Sequence, residues 1–253
     1  MNRKFNIVPL LLLSAVACAQ TASVPPTPTT ASTAPALDPE VRQILQQLHD
    51  RKATLKDFTA QIDYSVQHPA GDVDGAIGTA VYVDDGKLSK LAVTFTHDTD
   101  EGKKVRVRKR HFILDGKAFT MVDFKGKEFK QQLAPPEKQF NPNSLDAMIP
   151  VPIGIDVDEI AMNFEVTLLP PPPPADANVH AISVVPRVKG RFDFKRLDLF
   201  IDKKLQLPVK VVHHAVGGDV TTMTFSEIKV NAGKVDFPST VPPTEAGWTI
   251  EIK

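Results

Sequence analysis

From residue 192 to residue 232 the chain alternates apolar and polar positions in three short runs broken by turn residues. Over 192–202, Leu197, Leu199 and Ile201 share one parity while Asp198 and Asp202 take the other. Successive side chains of an extended chain point to opposite faces, so this run predicts a strand with one buried face and one solvated, acidic face. Residues 203–206 turn the chain into a second run, 207–216. Gly217-Gly218-Asp219 is a hairpin signal, because glycine tolerates the positive φ that tight turns need. The third run is 220–230. Together the three predict an antiparallel meander, and its apolar face requires a cover.

The same pattern extends upstream. Asp38-Pro39-Glu40 starts a helix: the aspartate caps backbone N–H groups, and proline fits the first helical position because it has no N–H to satisfy. Val41, Ile44, Leu45 and Leu48 recur at helical spacing with Arg42, Gln46 and Gln47 opposite, which predicts an amphipathic helix over 38–53. Alternation predicts strands at 59–67, 75–83 and 88–97, with a turn at Asp84-Asp85-Gly86-Lys87. Residues 104–133 read as three strands separated by turns at Asp115-Gly116 and Lys125-Gly126. Asn141-Pro142 opens a short helix through Met148 that stops before Pro150. Asp156, with Glu159 three residues on, resembles a capping box and opens another short helix over 157–163. Five prolines at 170–174 end a strand at Leu169 and make a rigid surface loop. Strands follow at 179–185 and 248–252. About 10–11 strands joined mostly by hairpins, with a few helices, make an α+β protein whose antiparallel sheet is long enough to curl strongly.

Composition narrows the partners. The chain has 253 residues, 42% hydrophobic and 24% charged, enough to bury a substantial core. Its 30 basic and 30 acidic residues balance, so nothing favours nucleic acid. The single cysteine, Cys18, excludes an intramolecular disulfide and a cysteine-rich zinc site. Residues 1–19 read as a secretory signal: Arg3 and Lys4 precede an apolar run at 7–16 that is too short to span a bilayer. Two processing readings stand side by side. Cleavage after Ala17-Cys18-Ala19 would release a soluble chain; Ala15-Val16-Ala17-Cys18 resembles a lipobox, which would leave Cys18 lipidated. Either places the protein in the periplasm or cell envelope. Residues 20–37 are rich in Thr, Pro, Ala and Ser and form a disordered linker, which would serve as a tether if Cys18 is lipidated.

The order of elements in 38–253 resembles the periplasmic carriers of outer-membrane lipoproteins, the LolA/LolB-like family. Three stretches carry the likeness. One is the step from helix to first strand, Leu55-Lys56-Asp57-Phe58-Thr59-Ala60; another is the turn Leu114-Asp115-Gly116-Lys117. The third runs from Leu197-x-Leu199-x-Ile201-Asp202 through Leu207-Pro208 to Thr224-Phe225-Ser226-Glu227-Ile228, closing with Phe237 and Gly247-Trp248. The resemblance implies an incomplete, strongly curved antiparallel β-barrel with helices on its concave side, over an apolar cavity that binds lipid or lipoprotein acyl chains without covalent chemistry. The carriers' Arg-Pro segment after the first hairpin has no counterpart in Val81-Tyr82-Val83-Asp84, so no functional arginine carries over.

No Gly-x-Ser-x-Gly, His-Glu-x-x-His or P-loop pattern occurs, and the expectation is a non-enzymatic, cofactor-free monomer. His213-His214 cannot chelate one metal together, because neighbours on a strand face opposite sides. The candidate cavity residues are Leu48, Phe58, Ile62, Phe95, Phe112, Met121, Met148, Ile160, Leu199, Val211 and Phe225. Most would serve equally as plain core. A second reading is an envelope sensor or interaction module that binds a protein partner through Arg106, Arg108 and Arg110, which share one parity; a membrane protein or a membrane surface is a further candidate partner. A solvated strand face explains those arginines as well.

Overall fold

The computed structural model describes residues 35–100, 102–135, 140–145, 153–170, 178–233 and 235–253, which fall within the unit Ala34–Lys253. Met148 and Cys18 lie outside the described residues. The leading helix, α1 (Pro39–Thr54), begins as its sequence dictates: the Asp38 carboxylate accepts from the Glu40 N–H at 2.8 Å, with Pro39 in the first turn. Val41, Ile44, Leu45 and Leu48 are buried. Each such aliphatic side chain contributes about 1.5–3 kcal/mol on leaving water.

Eleven strands and one further helix follow before the last strand. They are β1 (Asp57–Gln67), β2 (Val73–Asp84), β3 (Ser89–Asp100), β4 (Lys103–Leu114), β5 (Ala118–Asp123) and β6 (Glu128–Leu133). Helix α2 (Val157–Asn163) leads directly into β7 (Phe164–Leu168), then β8 (Val179–Pro186), β9 (Phe194–Asp202), β10 (Leu207–Ala215) and β11 (Val220–Val230). The last is β12 (Thr249–Ile252). They form one curved, open sheet in the order β12-β6-β5-β4-β3-β2-β1-β11-β10-β9-β8-β7. Strand β1 pairs antiparallel with both β2 and β11, which brings the two meanders together at the middle of the sheet. All pairings are antiparallel but one: β12 runs parallel to β6. A hairpin forces antiparallel pairing, whereas β12 reaches β6 after a long excursion and is free to dock in either direction.

Aspartates set the turns. Asp85 accepts from the N–H groups of Lys87 and Leu88, Asp115 from those of Lys117 and Ala118, and Asp202 from those of Lys204 and Leu205. Such local side-chain bonds replace the ladder where a strand must reverse. Gly116 adopts φ 82°, and a Cβ there would sit 2.3 Å from a Leu88 methyl, so this turn needs glycine twice over.

The concave face of the sheet holds the core together with α1 and α2. Leu197, Leu199 and Ile201 face inward as their parity predicts. Asp198 departs from the expected solvated face. It is 6% exposed, held on the opposite face by Arg196 and His214 at 3.1 and 3.2 Å. A carboxylate drawn under neighbouring side chains in this way needs such partners, the Arg196 charge above all, because a lone buried charge is costly.

Candidate functional site

The concave wall assembles nearly every side chain named as a cavity residue. Phe58, Ile62, Phe95, Phe112, Leu199, Val211 and Phe225 from the sheet join Leu48 of α1 and Ile160 of α2 in one buried apolar cluster. Met121 packs against its margin, half-buried. Aromatic contacts run along it: Phe58 stacks on Tyr82 at 5.4 Å, and Tyr64, Phe95 and Phe112 meet in sequence at 5.5 and 5.7 Å. Among the described residues this interior keeps a void of about 10 Å³, between Leu45, Leu48, Leu145, Ile155, Ile160, Val184 and Leu199. That is about the least space that holds one water. Here α1 and α2 cover the wall.

The rims of the cover carry polar ties. Lys52 of α1 reaches Ser89 Oγ at 3.0 Å and the Asp84 carboxylate at 3.2 Å. Between the helices, Arg42 pairs with Asp158 at 3.0 Å, and Gly154 N–H donates to the Leu48 carbonyl at 3.1 Å. At the far rim the Arg187 guanidinium donates to the Ala161 carbonyl. Between these rims the cover meets the wall through apolar side chains.

At one end the concave wall becomes charged. In β3 the pairing with β2 shifts between Phe95 and His97, so that Asp98 comes to the same face as Phe95 rather than the opposite one. Asp98 is 1% exposed and accepts from two guanidinium groups: Arg106 Nε at 2.9 Å and Arg110 Nη2 at 2.5 Å. Arg108 pairs with Asp123. Burial alone would push the Asp123 carboxyl up, but Arg108 and the Gly126 N–H hold it below the ordinary range. Arg110 lies over the Phe95 ring at 5.8 Å. Each of the three arginines is thus engaged by an aspartate, Arg110 buried and Arg106 and Arg108 partly exposed.

The convex face is covered differently. After β11 the chain crosses back over the sheet through residues 235–248 to reach β12. Beneath this strap lies a cleft of about 650 Å³. Its floor comes from alternate residues of six neighbouring strands, from Val122 on β5 through His111, Thr94, Val81 and Gln61 to Lys229 on β11. Pro238, Val241 and Pro243 of the strap form its roof. His111 bonds Thr94 across the strands at 2.8 Å and meets Phe124 edge-on at 4.9 Å. Burial, reinforced by neighbouring Lys109, pulls its imidazole down to about 4, so it is neutral at pH 7. Thr59, Ala60, Val81 and Glu227 stand in the stretches compared with the carrier family, but no pattern in the sequence marks the cleft residues as a site. The available signal was the opposite parity of the same strands, together with a proline-bearing segment that has no apolar period.

The histidines of β10 separate as alternation requires. His213 sits 5.6 Å from Phe194, and His214 bonds Asp198. Among the described residues no group of three or more His, Cys, Asp or Glu side chains could hold a metal ion.

No family model matches the sequence, and no curated protein matches it. Solved structures do match in chain course. The lipoprotein LppX of Mycobacterium tuberculosis is similar at 9% identity over 79% of this chain and 99% of that one, with a TM-score of 0.42. A LolA superfamily protein from Nitrosomonas europaea is similar at 10% identity over 78% and 94%, with a TM-score of 0.32. In the MucA/MucB complex of Pseudomonas aeruginosa the match is 12% identity over 78% of this chain and 59% of that chain, with a TM-score of 0.41.

Proposed function

We propose that this protein is a non-enzymatic binder of lipid or lipoprotein acyl chains in the cell envelope, and that the ligand takes the place of α1 and α2 on the concave wall. The observation that supports this most is the composition of the cover's seat. Leu45, Leu48 and Ile160 rest on Val184 and Leu199 through apolar contact, while the polar ties sit at the rims. Apolar contact has no fixed hydrogen-bond register, so a hydrocarbon chain replaces it without leaving a buried polar group unpaired. Each Å² of acyl surface taken from water gains about 25 cal/mol, which offsets the cost of lifting the helices. The signal at 1–19 and the linker at 20–37 fit a protein exported to the periplasm, either released or held on a membrane through Cys18.

A partner-binding module acting through Arg106, Arg108 and Arg110 has less support, because each of these guanidinium groups already pairs with Asp98 or Asp123.

The test combines a fluorescent fatty-acid probe with amide hydrogen exchange. Binding of the probe is expected to be saturable and to accelerate exchange across Pro39–Thr54 as α1 leaves its seat. Absence of saturable binding, or binding with α1 exchange unchanged, would overturn the reading.

A further inference from the structure

The cleft under the strap is independent of the concave wall and of the function proposed for it. Three features set it apart from an accidental gap. It has a built polarity, it contains a conformationally costly residue, and its roof is loosely held.

At the β4–β5 end stands Lys109, whose ammonium lies 4.7 Å from the centre of the Phe124 ring. No acidic side chain pairs with it among the described residues. Beside it His111 is neutral, and with one ring nitrogen on Thr94 the other has no hydrogen-bond partner among the described residues. The Lys109 ammonium and a His111 ring nitrogen meet there, and when Thr94 donates to the first nitrogen the second carries an N–H, so the pair donates to a carboxylate.

At the β11 end stand Glu227 and Asp236, with Lys229 beside them, leaving one negative charge in excess. Glu227 is placed by a β-bulge. The register between β1 and β11 slips where Ala60 would find its partner, and Glu227 takes φ 51°, the left-handed region that a side chain such as glutamate rarely adopts. Bulges re-aim side chains next to binding sites, and strained residues gather there. Here the bulge brings Glu227 to the cleft.

The roof is anchored at its ends and, near its last turn, by the Lys127 ammonium, which donates to the Ala246 carbonyl at 3.3 Å. Ala232 N–H donates to Asp57, and Thr249 N–H to the Lys127 carbonyl. Between them, the one hydrogen bond among the described residues of 235–245 is local, from Val241 N–H to Ser239 Oγ. Over 235–245 such a strap yields to a ligand without losing a bond to the sheet.

From these features we infer that the convex cleft is a second binding site, for a short extended peptide with free termini, its carboxylate at Lys109 and His111 and its ammonium at Glu227 and Asp236. The dimensions agree. Four strand steps from β4 to β11 span about 19 Å at about 4.8 Å each. An extended chain covers that in about five to six residues at about 3.3 Å per residue. The volume of about 650 Å³ lies in the range of small-ligand sites. Thr79 and Gln61 in the middle of the floor supply hydrogen-bonding groups for peptide amides, beside apolar Val81 and Val122.

The chain's single tryptophan, Trp248, packs on Phe124 at 5.8 Å and reports on this end of the cleft. The test titrates the full chain with the pentapeptide Ala-Thr-Val-Thr-Ala, following Trp248 fluorescence and calorimetric heat. The same peptide is tested N-acetylated and, separately, C-amidated. The expected result is saturable binding of the free peptide, weakened about tenfold or more by either cap. Lys109→Met is expected to abolish the penalty for amidation alone, and Glu227→Gln the penalty for acetylation alone. Circular dichroism confirms the fold of both variants. Equal binding of the three peptides, caps whose effects do not respond to the matching variant, or no saturable binding to millimolar peptide would each overturn the inference. Dodecanoate serves as the competing ligand. If it displaces the peptide and binds as tightly, in a Lys109-dependent way, the site takes a simple amphipathic carboxylate and the peptide assignment fails.

Discussion

The two faces of this sheet are covered by two kinds of chain. On the concave side the cover is helical, with apolar residues at i, i+3, i+4 and i+7, and it leaves about 10 Å³ empty. On the convex side the cover is a strap carrying prolines at 238, 242 and 243 and no apolar period, and it leaves about 650 Å³. A helix presents a continuous stripe that interlocks with the pleat of a sheet. A proline-bearing extended segment presents single side chains at irregular intervals, and Val241 of the strap is 71% exposed. The difference teaches that a covered face and a closed face are not the same thing. Here the apolar face is closed until something lifts the helices, while the polar face is roofed and open.

The largest effect expected from a substitution lies at the charged end of the concave wall. Arg110→Met leaves the buried Asp98 short of a partner and is expected to cost about 3–5 kcal/mol in denaturant unfolding, with Asp98→Leu in the same background recovering part of the loss. If the single variant costs less than about 1 kcal/mol, that end is solvated and the concave face is not closed there. Next comes the apolar seat itself. Leu199→Ala is expected to cost about 2–5 kcal/mol, because the cavity it leaves adds to the lost transfer energy. The matching change in the convex roof, Val241→Ala, should fall within about 0.5 kcal/mol. Equal costs at the two positions would erase the distinction between the faces.

Two histidines sharpen the comparison through opposite pH dependence. His111, on the cleft floor, is held at about 4 by burial and by Lys109, so the unfolded chain takes up its proton first, near pH 6.5. Its contribution is intact above that pH and is lost as the pH falls from about 6.5 to about 4, by at most about 3 kcal/mol. Stability measured at pH 7 and pH 4.5 should therefore differ less in His111→Gln than in the parent. His68 has the reverse sign. Its hydrogen bond to Asp219 raises its pKa against the effect of burial, with Asp74 adding to the rise. That contribution is full below about pH 6.5 and disappears as the pH rises through the folded value. His68 is partly solvated, so His68→Gln should remove under about 1 kcal/mol at pH 5.5 and nothing measurable at pH 9.

Much of the fold was legible because its signals are local. Helix α2 spans the predicted 157–163, since Asp156 accepts from the Glu159 N–H and thereby fixes where the helix begins. Strand β11 spans the predicted 220–230, because the glycines before it fix the hairpin. The apolar list was legible for the same reason: parity alone sorts Phe58, Ile62, Leu199 and Phe225 onto one face. Whether that face is a cavity or a core was not legible, because closure depends on how well Leu45, Leu48 and Ile160 fill it from elements more than a hundred residues apart.

The sequence by itself determined where the chain alternates, where it turns and which residues seek the interior, because each depends on neighbours a few positions away. Only the tertiary structure decided which way an irregular strand faces. The shift near His97 turns Asp98 to the face that Arg110, opposite Phe95, already shares, and the bulge at Glu227 brings a carboxylate to the opposite side of the sheet. A register shift moves every later side chain to the other face, and it is fixed by the partner strand rather than by the residues it moves. The cleft under the strap follows from the same cause, since it exists only where residues 235–248 are drawn across six strands to reach β6.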